Sequence, residues 1–215
     1  MKVKWLGHAS FLLTTKEGMR VITDPYATGA GLSYGEMNES ADVVLVSHEH
    51  ADHNNVQGVG GSPEVIRGTG THQAKGVEFK GVASFHDPSG GRERGPNTIF
   101  CFVLDEIRFC HLGDLGHLLS KEQVAQIGRV DVLFLPVGGF FTIDAGEATQ
   151  VMESLQPRVA IPMHFKTPKC DYPISPVDDF LRGKERIRRI GGSEIELEVA
   201  SLPEATSIWV LEPAL

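Results

Sequence analysis

The chain has 215 residues, 41% of them hydrophobic, with a formal net charge of −8: enough apolar material for one well-buried domain over residues 1–215 and short for two. The acidic balance argues against a surface built to neutralise phosphate backbones, so no nucleic-acid partner is expected, and no apolar run approaches the roughly 20 residues of a membrane span. Met1-Lys2-Val3-Lys4 leads into a stretch broken at Gly7-His8 without a cleavage site, and Cys101, Cys110 and Cys170 lack C-x-x-C spacing. Both features predict a cytoplasmic protein with ordinary reduced thiols rather than a secreted disulfide scaffold.

Val3–Leu6, Ser10–Thr15 and Met19–Thr23 are short β-prone runs with Lys16-Glu17-Gly18 as a hairpin tip, so the chain opens as a β-meander. His8 stands between the first two strands. Asp24-Pro25 ends the third strand, and Ala27 to Glu39 is a Gly- and Ser-rich surface loop. Ala41-Asp42-Val43-Val44-Leu45-Val46 then reads as a buried strand, followed at once by Ser47-His48-Glu49-His50-Ala51-Asp52-His53.

That motif releases four ligand-type side chains from the end of one rigid element. His48 and His50 are two apart and share a side of an extended backbone, whereas Asp52 and His53 lie where the chain must turn. The spacing suits two adjacent ions, one taking His48 and His50 and the other Asp52 and His53. Imidazole donors favour zinc, with manganese or iron as alternatives.

Asn54 to Gly58 predicts a short helical turn, Glu64-Val65-Ile66 a strand, and Thr71 to Lys75 a short helix closed by Gly76 with His72 on its surface. Val82 to His86 is a strand with a histidine at its end. Asp87 to Pro96 is a glycine-rich rim loop whose Arg92 and Arg94 are either solvated beside Glu93 or available to an anionic substrate.

Thr98–Leu104 and Ile107–His111 form a hairpin around Asp105-Glu106 and lead to Asp114, a strand-end carboxylate or a turn residue. His111 orients a carboxylate, packs within its strand or is itself a ligand; His117 is a surface or rim residue. Ser120 and Asp144 open capping boxes for two helices, stopped by Gly128 and Pro157, and Ala148, Val151, Met152 and Leu155 form the buried face of the second. Between the helices, Val130–Leu135 is a buried strand, and Arg158–His164 is another that again presents a histidine. Lys166, two residues on, is either solvated or available to an anion. A helix starting at Ser175-Pro176, an edge strand over Glu194–Val199 and a last strand over Ser207–Leu211 complete the chain.

H-x-H-x-D-H after a strand resembles the signature of the metallo-β-lactamase fold superfamily. Trp5-Leu6-Gly7-His8-Ala9-Ser10, Asp24-Pro25, Phe85-His86-Asp87, Asn97-Thr98-Ile99-Phe100, His111-Leu112-Gly113-Asp114, Pro136-Val137-Gly138-Gly139 and Ile161-Pro162-Met163-His164 extend the likeness over nearly the whole chain. Their order is similar to the branch of zinc-dependent hydrolases that contains the L-ascorbate-6-phosphate lactonase and, more distantly, N-acyl phosphatidylethanolamine phospholipase D.

The resemblance implies an α/β fold, a four-layer αββα sandwich with metals at one edge between the sheets. It implies His86 as the third ligand beside His48 and His50, His164 beside Asp52 and His53, and Asp114 as the bridge between two ions. His8 falls near the site without a firm role.

The implied activity is hydrolysis of an ester-type bond, a lactone or a phosphodiester, in a small substrate, with Asp52 and Asp114 as the catalytic carboxylates. His8, Arg94 and Lys166 are the candidate substrate-binding residues, and His8, His111 and Lys166 the candidate leaving-group acids. An RNA-processing metallonuclease is the alternative. A di-iron redox protein is disfavoured because His50 stands where that group has glutamate.

Overall fold

A computed structural model describes all 215 residues. The elements run β1 (Lys2–Gly7), β2 (Ser10–Thr14), β3 (Arg20–Thr23), β4 (Val43–Val46), β5 (Glu64–Arg67), β6 (Gly70–Ala74), β7 (Val77–Phe85), β8 (Pro96–Leu104), β9 (Ile107–His111), α1 (Lys121–Ile127), β10 (Val132–Pro136), α2 (Ala145–Leu155), β11 (Val159–Met163), α3 (Val177–Leu181), β12 (Ile187–Arg189), β13 (Glu194–Glu196) and β14 (Ser207–Val210). Six strands form one sheet in the order β13-β1-β2-β3-β4-β5, and eight form the other in the order β12-β14-β11-β10-β9-β8-β7-β6.

Alternation along each strand decides what fills the space between the sheets. Phe11 of β2 stacks on Phe134 of β10 with ring centroids 4.1 Å apart, and Phe134 continues to Phe109 at 6.0 Å and Phe109 to Phe102 at 5.5 Å. Trp5, Leu13, Val21, Val43 and Leu45 join this inner cluster. The intervening residues Leu12, Ile22, Val44 and Val46 point outward instead, where Tyr26, Leu32, Tyr34 and Met37 of the irregular segment after β3 cover them. Helices α1 and α2 pack on β7 and β10 of the eight-stranded sheet, and α3 packs on α2. The expected two-sheet sandwich is present, with irregular chain rather than helix outside the smaller sheet.

Strand direction brings the chemistry to one edge. β3 and β4 are parallel, as are β9, β10 and β11, and two antiparallel steps through β8 make β7 run the same way as β9. The carboxyl ends of β4, β7, β9 and β11 are the positions that carry the motif, His86, Asp114 and His164. The sheets are tied together there, the Thr98 N–H donating to the Ser47 carbonyl at 2.9 Å.

Two local expectations need correction, and one strand was not expected at all. Thr71 to Ala74 is strand, not helix: it pairs antiparallel with Val77 to Lys80 around Lys75 and Gly76, both at positive φ (49° and 76°). A two-residue turn of that handedness matches the twist of a hairpin, and five residues are too few to sustain a helix against sheet pairing. His72 therefore lies on a strand, its Nε2 3.2 Å from the Gly68 carbonyl. Ile187–Arg189 adds parallel to β14 as an exposed edge strand whose charged residues gave no alternation signal. The last helix begins at Val177 with Pro176 as its cap residue, one position later than expected. No helix is long and apolar enough to cross a membrane.

Candidate metal centre

The seven expected ligands meet. His48, His50 and His86 form one group and His8, Asp52, His53 and His164 another, with the ligand atoms in each lying within 4.8 Å of one another. Asp114 lies between them. Its Oδ2 is 3.1 Å from His86 Nε2 and 3.3 Å from His164 Nε2, and its Oδ1 is 3.2 Å from His53 Nε2. All are buried except His50, which is exposed, and Asp52, which is partly so.

These close approaches are not ordinary pairing. His48 Nε2, His53 Nε2 and Asp114 Oδ1 are buried and have no hydrogen-bond partner. Leaving such atoms unsatisfied costs about 1–3 kcal/mol each. Donors that crowd one space without bonding to each other fit cation ligands, and mixed imidazole and carboxylate donors suit zinc.

Electrostatics points the same way. Burial would raise Asp114, but the His164 and His53 imidazoles hold it well below the carboxylate range; Asp52 is likewise raised by burial and lowered more by His53 and His8. Burial, reinforced by His53, pushes His48 down to about 3, and burial with His164 pushes His8 down to about 4, so both are neutral imidazoles. Burial also opposes charge on His53, yet Asp114, Asp52 and Asp24 raise it well above the ordinary imidazole value. Ionised carboxylates thus create a buried position that favours positive charge.

Asp24 supports the cluster from beneath; in the sequence it was legible as the end of a strand and as part of the family likeness, without a role. Its Oδ1 accepts from Ser47 N–H at 2.7 Å; its Oδ2 accepts from Ser47 Oγ at 2.7 Å and from His53 Nδ1 and His111 Nε2 at 2.9 Å each. His111 is both a buried residue of β9 and a partner of this carboxylate. Asn97 has a comparable place: its amide donates to Ser84 Oγ and the Leu112 carbonyl, and its Oδ1 accepts from Asp114 N–H at 3.0 Å.

Backbone strain accompanies these contacts. His8, Asp24 and His164 occupy the left-handed region at φ of 51°, 38° and 51°, each costing of order 1–3 kcal/mol. The His8 carbonyl accepts from both Trp5 Nε1 and His164 N–H, which holds two of the three in place. At Gly113, φ is 54° and a Cβ would strike Asn97 Oδ1 and come within 2.6 Å of Ser47 Cβ, so glycine is required to seat Asp114.

The proposed substrate residues are distributed unequally. His8 Nε2 lies 3.3 Å from Asp52 Oδ2 within the cluster. Arg94 borders a cleft of about 520 Å³ shared with His48, His50 and Phe85. Its loop is shaped by buried Asp87, whose carboxylate accepts from the N–H groups of Ser89, Gly91, Glu93 and Arg94. Arg92 is exposed on the same loop.

Lys166 donates from its Nζ to the Tyr172 carbonyl at 3.0 Å and borders a separate pocket with Trp5 and Phe165. Sequence reasoning missed an aromatic wall: the Arg94 guanidinium lies 5.8 Å from the Phe141 ring, Phe141 lies 5.6 Å from Tyr172, and Tyr172 lies 5.7 Å from His8. Phe140, 65% exposed at φ 61°, extends that wall into solvent.

The family model described as Beta-lactamase superfamily domain matches residues 2–164, and the chain belongs to that superfamily. Among its relatives is a UPF0173 metal-dependent hydrolase of Pyrococcus horikoshii, 30% identical over 199 residues that cover 78% of this chain and 85% of the relative. One from Archaeoglobus fulgidus is 29% identical over 202 residues, with coverage of 78% and 84%. Among solved structures, a metallo-β-lactamase superfamily protein of Thermotoga maritima is 39% identical, covers 98% of each chain and superposes with a TM-score of 0.82. A metallo hydrolase of Ignicoccus hospitalis, 20% identical with coverage of 99% and 95%, shares the fold at a TM-score of 0.67.

Proposed function

We propose that this protein is a metal-dependent hydrolase that holds two divalent cations, zinc by its donor set, and opens an ester-type bond in a small anionic substrate, a lactone or a phosphodiester. The observation that carries this reading is the position of Asp114, whose two oxygens lie 3.1–3.3 Å from imidazole nitrogens of both histidine groups. His48, His50 and His86 would hold one ion and Asp52, His53 and His164 the other, with Asp114 shared. Such ions supply Lewis acidity to the scissile carbonyl or phosphoryl group and lower the pKa of water for attack.

The chain's own groups do the rest. Asp24 accepts the His53 Nδ1 proton and leaves Nε2 facing the cluster. Asp52, kept ionised and held by His8, is the carboxylate that orients attacking water. Arg94, on a loop shaped by Asp87, meets the anionic part of the substrate, and Phe141 and Tyr172 form the wall against which the rest lies. The names of the relatives, metal-dependent hydrolases, support the reaction class.

The test is metal content measured beside a screen of lactones, phosphodiesters and thioesters. About two equivalents of metal and hydrolysis of one panel are expected. No retained metal after loading with zinc, manganese or iron would overturn the proposal.

A further inference from the structure

Cys101 on β8 and Cys110 on β9 stand directly opposite each other in the antiparallel ladder, with Sγ atoms 4.0 Å apart. Opposed residues of such a ladder have Cα atoms about 4.5–5.5 Å apart, inside the ~4.4–6.8 Å that disulfides span. Joining them takes side-chain rotation without a change of register. Their neighbours Phe102 and Phe109 point into the sandwich, so both cysteines lie on the outer, helix-bearing face of the sheet.

The two thiols differ in access and charge. Cys110 is fully buried, whereas Cys101 is partly exposed and opens into a surface cleft of about 420 Å³ with Lys80, Glu78, Arg108 and Arg129. Lys80 of β7 is the direct ladder partner of Cys101 on its other side. The contact with Cys110 lowers the Cys101 thiol against the effect of burial, and Lys80 adds to it; burial pushes Cys110 well up. Cys170 is buried elsewhere, in the cluster outside the smaller sheet, with its thiol raised by burial.

We propose that Cys101 and Cys110 form a two-electron redox site, separate from the metal centre, that small hydroperoxides oxidise to a disulfide. The Cys101 thiolate attacks one peroxide oxygen, the O–O bond breaks, and the departing alkoxide or hydroxide takes up a proton. Cys101 is left as a sulfenic acid. The Cys110 sulfur then attacks the Cys101 sulfur, its proton passes to the departing hydroxyl, and water leaves. Two thiols and one hydroperoxide become one disulfide, one alcohol or water, and one water. The accessible thiol with its thiolate favoured attacks and the buried thiol resolves, the division of labour that redox-sensing pairs require.

The experiment exposes the folded full-length protein to hydrogen peroxide, counts free thiols and maps linked peptides. The three thiols should fall to one, with Cys101 joined to Cys110 within one chain and Cys170 free. In Cys110→Ser, Cys101 should stop at the sulfenic acid and be trapped by a 1,3-dione, about tenfold faster than Cys170. Linkage between chains, oxidation of Cys170 at the rate of Cys101, or three free thiols retained while a small dithiol in the same solution is consumed would each overturn the proposal. The wild-type map decides the matter even if the variant folds poorly.

Discussion

His111 Nε2 lies 2.9 Å from Asp24 Oδ2, the same oxygen that His53 Nδ1 reaches at 2.9 Å. A carboxylate only accepts, so both histidines donate to it, and the Nδ1 tautomer of His53 is set by that contact. Burial would raise Asp24, but His111 and His53 hold it far below the carboxylate range. Asp24→Asn replaces an acceptor with a group that carries two donors of its own. We expect zinc affinity, measured by chelator competition, to fall about 10–100-fold with the fold retained; unchanged affinity would remove Asp24 from the support of the site.

In the proposed two-ion site, Asp114→Ala should deplete both ions, because this carboxylate faces both histidine groups. His72→Ala, on β6 and outside every ligand group, should change neither. Elemental analysis of the two variants side by side is the check, and equal metal loss would refute the bridging assignment.

Arg94 and Lys166 should now behave differently. Removing Arg94 should cost an anionic substrate about 1.5–3 kcal/mol, or roughly ten- to hundredfold in kcat/KM, and a neutral analogue much less. Lys166→Ala removes a hydrogen bond to the Tyr172 backbone, so it should affect anionic and neutral substrates alike and leave metal content intact. A loss confined to anionic substrates in Lys166→Ala would restore it to the pocket rim.

Asp87 makes a pH prediction. Burial would raise its carboxyl, but the N–H groups of Arg94, Glu93, Gly91 and Ser89 bring it to about 2, against ~3.9 for an ordinary aspartate. A depressed pKa means stability that is fully present above the unfolded value and lost as pH falls through the folded one. Amide protection at Ser89, Gly91, Glu93 and Arg94 should therefore hold from neutral pH to about 4 and fall towards 2, and Asp87→Asn should weaken it at pH 7. Protection that is indifferent to both changes would show that the loop is held by something else.

Much of the candidate site is written locally. His48, His50, Asp52 and His53 lie within six residues of one another behind a β-branched apolar run, and reading that run as a short buried strand places the motif at a strand end. His86 and His164 directly follow strands and Asp114 stands three residues beyond one, so their kind and position were visible, although their grouping rested on resemblance to a family. Both capping boxes are present because a cap is a contact between residues three apart.

Partnership across the chain was decided by tertiary structure. Asp24 meets His53 at a separation of 29 residues and His111 at 87, and no local pattern separates such an aspartate from an ordinary strand-end residue. Lys166 shows the converse: two-residue spacing from His164 suggested a shared side, but His164 takes a left-handed φ of 51° that ends the strand's alternation and turns the lysine towards Tyr172. The misread Thr71–Lys75 segment has the same cause at shorter range, since the β7 strand supplied the pairing partners that made it a hairpin. Residue type and spacing determined which groups are able to bind a cation. Chain reversal and sheet pairing determined which oxygen faces which nitrogen, because hydrogen bonds and ion pairs act over a few ångströms and register no distance along the chain.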